Sequence, residues 1–269
     1  MVKLAASISF LFNEWPFEDR FAAARRVGFR GIEFGVPYGY SRQDLAERLR
    51  EHGLKYLNFL AAPGDWAGGE RGIACNPARR DEFRSEFDRA VEWAVALDVD
   101  LLHVPAGLVP QGCGRDDAMG ALRDNLAWAA DRVAASGRQV VIEPVNAADI
   151  PGFAIHTLEQ AIELLRQSKR SNMGLIFDVY HVARQEGDVT WRLRDALSWV
   201  RHVQIATPPM RHEPGAGDVD LVWLIDELDR MGYRGWIGCE YRPSKGTVES
   251  LDWARRYGID PSALEDGRP

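Results

Sequence analysis

The chain has few of the features that mark secreted, membrane-bound or nucleotide-binding proteins. It holds three cysteines in 269 residues, Cys75, Cys113 and Cys239. An odd number without C-x-x-C spacing points to neither a disulfide framework nor a thiolate zinc centre, and fits a reducing, cytoplasmic setting. No stretch approaches the ~18 consecutive apolar residues of a membrane span. The apolar run at 4–12 is interrupted by Ser7 and Ser9 and leads into Asn13 and Glu14, so it reads as a strand rather than a signal peptide. Basic residues are outnumbered, 33 against 40 acidic, for a net charge of -7. Such a chain repels polyanions, which disfavours nucleic acid as a partner. No G-x-G-x-x-G follows the first apolar run and no G-x-x-x-x-G-K-[ST] occurs, leaving dinucleotide and P-loop binding without support.

What remains is an ordinary globular composition, 46% hydrophobic and 27% charged, in a chain long enough for one large core. Short apolar, β-branched runs alternate with segments of helical period, the pattern of a parallel sheet with crossover helices. The strands are expected at 5–12, 31–34, 56–60, 101–104, 139–143, 174–177, 202–205 and 236–239. Helices are expected between them, among others at 44–52, 79–97, 116–135, 158–166 and 221–231, with Gly53, Gly137 and Gly232 as C-terminal stops. Eight repeats of strand and helix predict a (β/α)8 barrel that spans 1–269 as one domain. The Gly/Pro-rich stretches 62–77 and 208–217 fall where loops after strands belong, and their length suggests a task.

In such a barrel the site is built at the C-terminal strand ends. Four consecutive strands deliver an oxygen ligand there: Glu143 in V-I-E-P-V-N, Asp178 in I-F-D-V-Y-H, Gln204 in H-V-Q-I-A and Glu240 in G-C-E-Y. Neighbouring strands lie ~4.8 Å apart, so the four converge on a point above the mouth. Three carboxylates so close either raise a pKa or recruit a cation, and with an amide oxygen they form a hard-oxygen set suited to Mg2+ or Mn2+. His181, three residues after Asp178, is within reach of that point as ligand, proton relay or partner of a ligand. His202 shares the face of Gln204 deeper in its strand and reads as a satisfied interior group. His103 and Glu33 point to the mouth or the interior, and Trp15, Trp66 and Tyr38 are candidates for a pocket wall.

The sequence also resembles the hydroxypyruvate isomerase and 2-oxo-tetronate isomerase family of xylose-isomerase-like barrels. The resemblance is carried by FNEWPF at 12–17, GFRGIEF at 28–34, PGDWAGGERGIAC at 63–75, IEPVN at 142–146, DIPGF at 149–153, HVQIA at 202–206, RHEPG at 211–215 and GCEYRP at 238–243. It implies that Glu143, Asp178, Gln204 and Glu240 hold a divalent metal and that Glu143 and Glu240 exchange the proton. It implies an aldose-ketose type isomerase of a small sugar acid, taking hydroxypyruvate to tartronate semialdehyde or isomerising a 2-oxo-tetronate. A carboxylate substrate needs a cation, for which Arg71 is the first candidate and Arg211 and His212 the second, with His181 also among the substrate-binding residues.

Four positions depart from the family pattern. Gly174 and Ile176 replace a lysine and a glutamine, the stretch ending at Leu60 lacks an asparagine, and His156 replaces a small polar residue. All four are expected near the mouth, where they change pocket polarity and hence substrate more than reaction type. Three other activities share parts of this pattern: a keto-sugar 3-epimerase, a metal-dependent phosphodiesterase of the endonuclease IV type, and a barrel without catalysis. The sequence also leaves room for a homo-oligomer.

Overall fold

The computed structural model describes residues 2–264 and 267–269. Its strands are β1 (Lys3–Ser7), β2 (Gly31–Glu33), β3 (Lys55–Tyr56), β4 (Asn58–Leu60), β5 (Leu101–His103), β6 (Gln139–Ile142), β7 (Met173–Asp178), β8 (Val200–Ile205) and β9 (Trp236–Cys239). All pair in parallel, in the order β3-β2-β1-β9-β8-β7-β6-β5-β4. β3 and β4 are two halves of one stave, divided at Leu57: β3 pairs with β2 and β4 with β5. The ring therefore continues through the chain itself. The expected eight staves are present as nine segments, because the run 56–60 bends where it changes partner.

The first strand differs from expectation. It begins at Lys3 and ends at Ser7, because the amides of Phe10 and Leu11 both turn back to the Ser7 carbonyl at 2.9 Å and Phe12 takes a left-handed φ of 63°. Ile8, Leu11 and Phe12 are fully buried all the same, so their apolar character reports a packed loop, not a longer strand.

The helices are α1 (Arg20–Arg26), α2 (Arg42–Glu51), α3 (Arg80–Ala96), α4 (Arg115–Val133), α5 (Leu158–Ser168), α6 (Val179–Gln185), α7 (Val189–Ala196) and α8 (Leu221–Arg230). Gly53, Gly137 and Gly232 follow α2, the α4 extension and α8 with positive φ, as helix stops require. The three helices outside the predicted set, α1, α6 and α7, span 7, 7 and 8 residues, too short for a clear 3.6-residue period. Among the described residues no helix is long and apolar enough to cross a membrane, and Cys75, Cys113 and Cys239 are free thiols.

Alternation along the staves sorts the residues by task. Ile32, Phe59, Leu102, Val140, Ile142, Leu175, Phe177, Val203, Ile205 and Ile237 belong to the continuous hydrophobic core, packed between sheet and helices. The opposite parity faces the barrel axis. Apart from His202, its lower layer is small or apolar, with Gly31 so close to the Trp236 ring that a Cβ would sit 2.9 Å from it. Its upper layer is polar: Ser7, Glu33, Asn58, His103, Glu143, Asp178 and Gln204 are all buried. A hydrophobic floor beneath a buried polar rim is what places chemistry at the C-terminal face.

Candidate metal centre and active site

Glu143 directly follows β6, where Pro144 ends the ladder by lacking an amide donor. It is 9% exposed, and Nε2 of His103 and Nε2 of His181 each lie 3.6 Å from one of its oxygens. Asp178 closes β7 and caps α6, its Oδ1 accepting the Tyr180 amide at 2.8 Å. That fixes the carboxylate and leaves Oδ2 for the site. Gln204 lies in β8 opposite Asp178 in register, and Glu240 follows β9. Oxygens of Glu143 and Asp178 and a nitrogen of His181 all fall within 4.8 Å of one another, a buried group able to hold a metal ion.

Arg211, in the loop after β8, reaches into this group. Its Nη2 donates to Oδ2 of Asp178 at 2.9 Å and to Oε2 of Glu240 at 2.6 Å, and the guanidinium lies over the rings of Phe10 and Tyr180. Even so, the cluster has more negative charge than one arginine balances. Burial, with the charges of Asp178 and Glu240 adding to it, raises the Glu143 carboxyl well above the ordinary range. Burial likewise pushes Glu240 up to about 8, against the pull of Arg211.

The tautomer of His181 follows from its neighbours. Asn146 accepts the Asp149 amide on Oδ1 at 2.9 Å and donates from Nδ2 to the Asp149 carboxylate at 3.1 Å, which fixes the orientation of its amide. The same Nδ2 lies 2.7 Å from Nδ1 of His181, and the Asn146 backbone amide 3.4 Å. Nδ1 is therefore an acceptor. The proton of the neutral ring sits on Nε2, directed between Asp178 and Glu143 at 3.5 and 3.6 Å. Burial depresses the ring to about 4, so near neutrality the metal-free His181 is uncharged and carries its N–H on Nε2.

Glu143, His181, Gln204, Arg211 and Glu240 line a cavity of about 1160 Å3 that also takes in Phe17, Tyr40, Trp66 and Leu60, with Asp178 buried behind them. Arg71 belongs to it as well, stacked over Trp66 at 4.7 Å and donating to the carbonyls of Trp66 and Glu70. The Glu70 carboxylate pairs instead with Arg79, so among the described residues Arg71 has no carboxylate partner. Five arginines line the cavity, Arg20, Arg71, Arg184, Arg211 and Arg242, beside Glu33, Glu143, Asp149 and Glu240; Arg184 and Arg211 are paired with acids.

Other expected residues lie elsewhere. His212 is held in the loop, paired with Thr207 through the backbone and with the Arg242 carbonyl through Nδ1 at 2.7 Å, and does not line the cavity. Trp15 and Tyr38 do not line it either; the Tyr38 hydroxyl donates to the Leu60 carbonyl. Of the four family departures, only Leu60 reaches the cavity. Gly174 and Ile176 precede Asp178 by four and two residues on the same strand face, ~13 and ~7 Å down the barrel at ~3.3 Å per residue. At Gly174 the space is filled by the stem of Arg201, which sits at the register shift between β7 and β8. His156 bonds the Val145 carbonyl ahead of α5. Sequence reasoning gave no role to Asn146 or Glu33. Asn146 stands three residues after Glu143, and inward parity was the one signal for Glu33.

The fold and the mouth together define a barrel of the xylose isomerase-like kind. Residues 21–257 match the family model described as xylose isomerase-like TIM barrel, and the chain belongs to that family. It is 42% identical to the 2-oxo-tetronate isomerase of Cupriavidus necator over 96% of this chain and 99% of that one. It is 36% identical to the hydroxypyruvate isomerase of Escherichia coli, over 96% and 100% respectively. A solved structure from Brucella melitensis, titled AP endonuclease, family 2, superposes with a TM-score of 0.93 at 38% identity, covering 96% of this chain and 99% of that one.

Proposed function

We propose that this protein isomerises a small 2-oxo sugar acid by moving a proton between adjacent carbons, with hydroxypyruvate to tartronate semialdehyde as the primary reaction and a 2-oxo-tetronate as the next substrate to test. Identity of 42% and 36% to named isomerases over 96% of its length makes the chain an enzyme of the isomerase type. The observation that carries the reaction is the pair Glu143 and Glu240. Glu143 is buried and Glu240 part-buried, both are carboxyls of raised proton affinity, and they stand on staves separated by β7 and β8. We infer that they approach a substrate from different sides, one taking up a C–H proton and the other delivering its own proton to the neighbouring carbon, while the hydroxyl proton passes to the former carbonyl oxygen.

We infer that Glu143, Asp178, Gln204 and Glu240 would hold a divalent metal, Mg2+ or Mn2+; Glu143 and Asp178, with His181, form the buried group whose ligand atoms lie within 4.8 Å of one another. Oε1 of Gln204 is buried with no hydrogen-bond partner among the described residues, a cost that an electrophile would remove. When bound, the ion supplies positive charge opposite the oxygen that becomes negative as the C–H proton leaves. The neutral Nε2–H of His181 offers a second stabilising donor to that oxygen. Arg71 and Arg211 supply cations for the substrate carboxylate, and the arginine-rich mouth favours an acid over an uncharged ketose.

Proton-exchange NMR in D2O with Mn2+ or Mg2+, across hydroxypyruvate, 2-oxo-tetronates and ketohexoses, tests the reading. Label is expected next to the carbonyl of the acids. Glu143→Gln and Glu240→Gln are each expected to stay folded and to lose about 10²–10⁴-fold in kcat; near-normal turnover in both refutes the assignment, and label in ketohexoses alone indicates an epimerase.

A further inference from the structure

Beneath the four oxygens lies a carboxylate that the proposed chemistry does not use. Glu33 ends β2, is 2% exposed, and faces the barrel axis from the far side of the ring. Three N–H groups converge on it. Nδ2 of Asn58 and Nε2 of His202 reach Oε2 at 3.0 and 2.6 Å, and Nε2 of Gln204 reaches Oε1 at 2.9 Å. The space is reserved for it as well: a Cβ on Gly238 would stand 2.5 Å from Oε1, so β9 carries glycine at this level. Nothing in the proton transfer calls for a buried carboxylate at this depth.

Its consequence lies in the amide it holds. A side-chain amide has one donating and one accepting end, and an ionised carboxylate only accepts. With Nε2 of Gln204 tied to Glu33, turning the amide over would set oxygen against oxygen in a buried site. The carbonyl end must therefore face away from Glu33, and it is this Oε1 that is buried and unpartnered. His202, two residues below Gln204 on the same face of β8, pins the other carboxylate oxygen and prevents Glu33 from swinging aside.

We infer that Glu33 is a positioning residue: it locks the Gln204 amide with its oxygen presented to the divalent cation. The inference rests on the metal-centre reading above. The structure thus supplies to an amide ligand what a hydrogen-bonded carboxylate supplies to a metal-bound imidazole, a fixed orientation of its donor atom. Glu33→Gln preserves the shape but offers an N–H toward Gln204, which lets the Gln204 amide turn its oxygen inward and present nitrogen to the ion.

The test is Mn2+ binding without substrate, by calorimetry and by electron paramagnetic resonance, on wild type, Glu33→Gln, Gln204→Ala and the double variant, with circular dichroism as the folding control. Glu33→Gln is expected to weaken Mn2+ binding roughly 10–100-fold. The double variant is expected to bind no worse than Gln204→Ala, because Glu33 acts through that amide. Unchanged affinity in Glu33→Gln overturns the inference while leaving the metal centre intact. So do additive losses, which assign Glu33 only its charge. A wild type that binds no Mn2+ removes both readings together. Should Glu33→Gln not fold, 15N NMR of the wild type decides: the Gln204 side-chain NH2 signal, assigned by its absence in Gln204→Glu, is expected to keep its hydrogen-bonded shift when Mg2+ is added, and its loss overturns the inference.

Discussion

A single nitrogen of Arg211 holds Glu240, standing 2.6 Å from its Oε2, and the same Nη2 lies 2.9 Å from Asp178. Arg211 is thus the internal counter-charge of the acidic cluster, and its backbone is held in the left-handed region at φ 60° to bring it there. Arg211→Ala removes the only guanidinium within 4 Å of these two carboxylates among the described residues. Breaking a buried pair costs about 3 kcal/mol or more, on the order of 6–12 °C in melting temperature for a chain of this size. Calorimetry in EDTA is expected to record that loss, and saturating Mg2+ to restore more of it in the variant than it adds to wild type.

Stability of the metal-free protein is expected to fall as pH rises from 7 to 8. The unfolded chain ionises its glutamates near 4.5, whereas folded Glu240 keeps its proton up to about 8 and Glu143 is raised as well. Their stabilising contribution is complete below the unfolded value and disappears as pH climbs through the folded one. His181 and His103, depressed by burial to about 4 and about 3, act with the opposite sign: their contribution is present above ~6.5 and is lost as pH falls below it. Melting curves in EDTA between pH 7 and 8 isolate the carboxyl slope, and Mg2+ is expected to flatten it by taking the place of the protons.

Asn146→Asp is expected to reverse the donor pattern at His181. An ionised carboxylate accepts, so the ring proton moves to Nδ1 and Nε2 turns a lone pair toward Asp178 and Glu143. Losing an N–H donor to the reacting oxygen costs about 1.5–3 kcal/mol, roughly 10–100-fold in kcat. The 15N shifts of the His181 ring report the tautomer directly, and an Nε2–H signal surviving in the variant refutes the account.

Arg71→Ala is expected to raise KM about 30-fold for the acid substrate, near 2 kcal/mol for one charge-assisted contact, with kcat little changed. Stacking on Trp66 and two backbone carbonyls leave the guanidinium's charge uncancelled, so the effect belongs in binding. Steady-state kinetics check it; a change confined to melting temperature assigns Arg71 to loop structure instead.

The sequence made the barrel legible because each stave must bury two faces, and eight short β-branched runs satisfy that requirement. It could not mark the bend at Leu57, which depends on which neighbour each half pairs with, nor stop β1 at Ser7, because Ile8, Leu11 and Phe12 are as apolar in a packed loop as in a strand. Glu143, Asp178, Gln204 and Glu240 stood out by their places at strand ends. Glu33 did not, since its partners Asn58, His202 and Gln204 come from staves remote in sequence. Gly174 and Ile176 were expected at the mouth because a motif gives order along the chain and not depth along the axis. His212 follows Arg211 directly, yet the backbone pairing at Thr207 keeps its ring out of the cavity.

Asp178 begins the helix that carries His181, one oxygen capping α6 while the other faces the acidic cluster. An anion and an N–H donor are thereby cast as one rigid part, and neither shifts without the other. Adaptation to acids of different length must then be worked from the opposite wall, where Trp66 and Arg71 ride on a loop outside the staves. The barrel separates a fixed anvil from an exchangeable jaw, and one scaffold can be refitted for new substrates without retuning its chemistry.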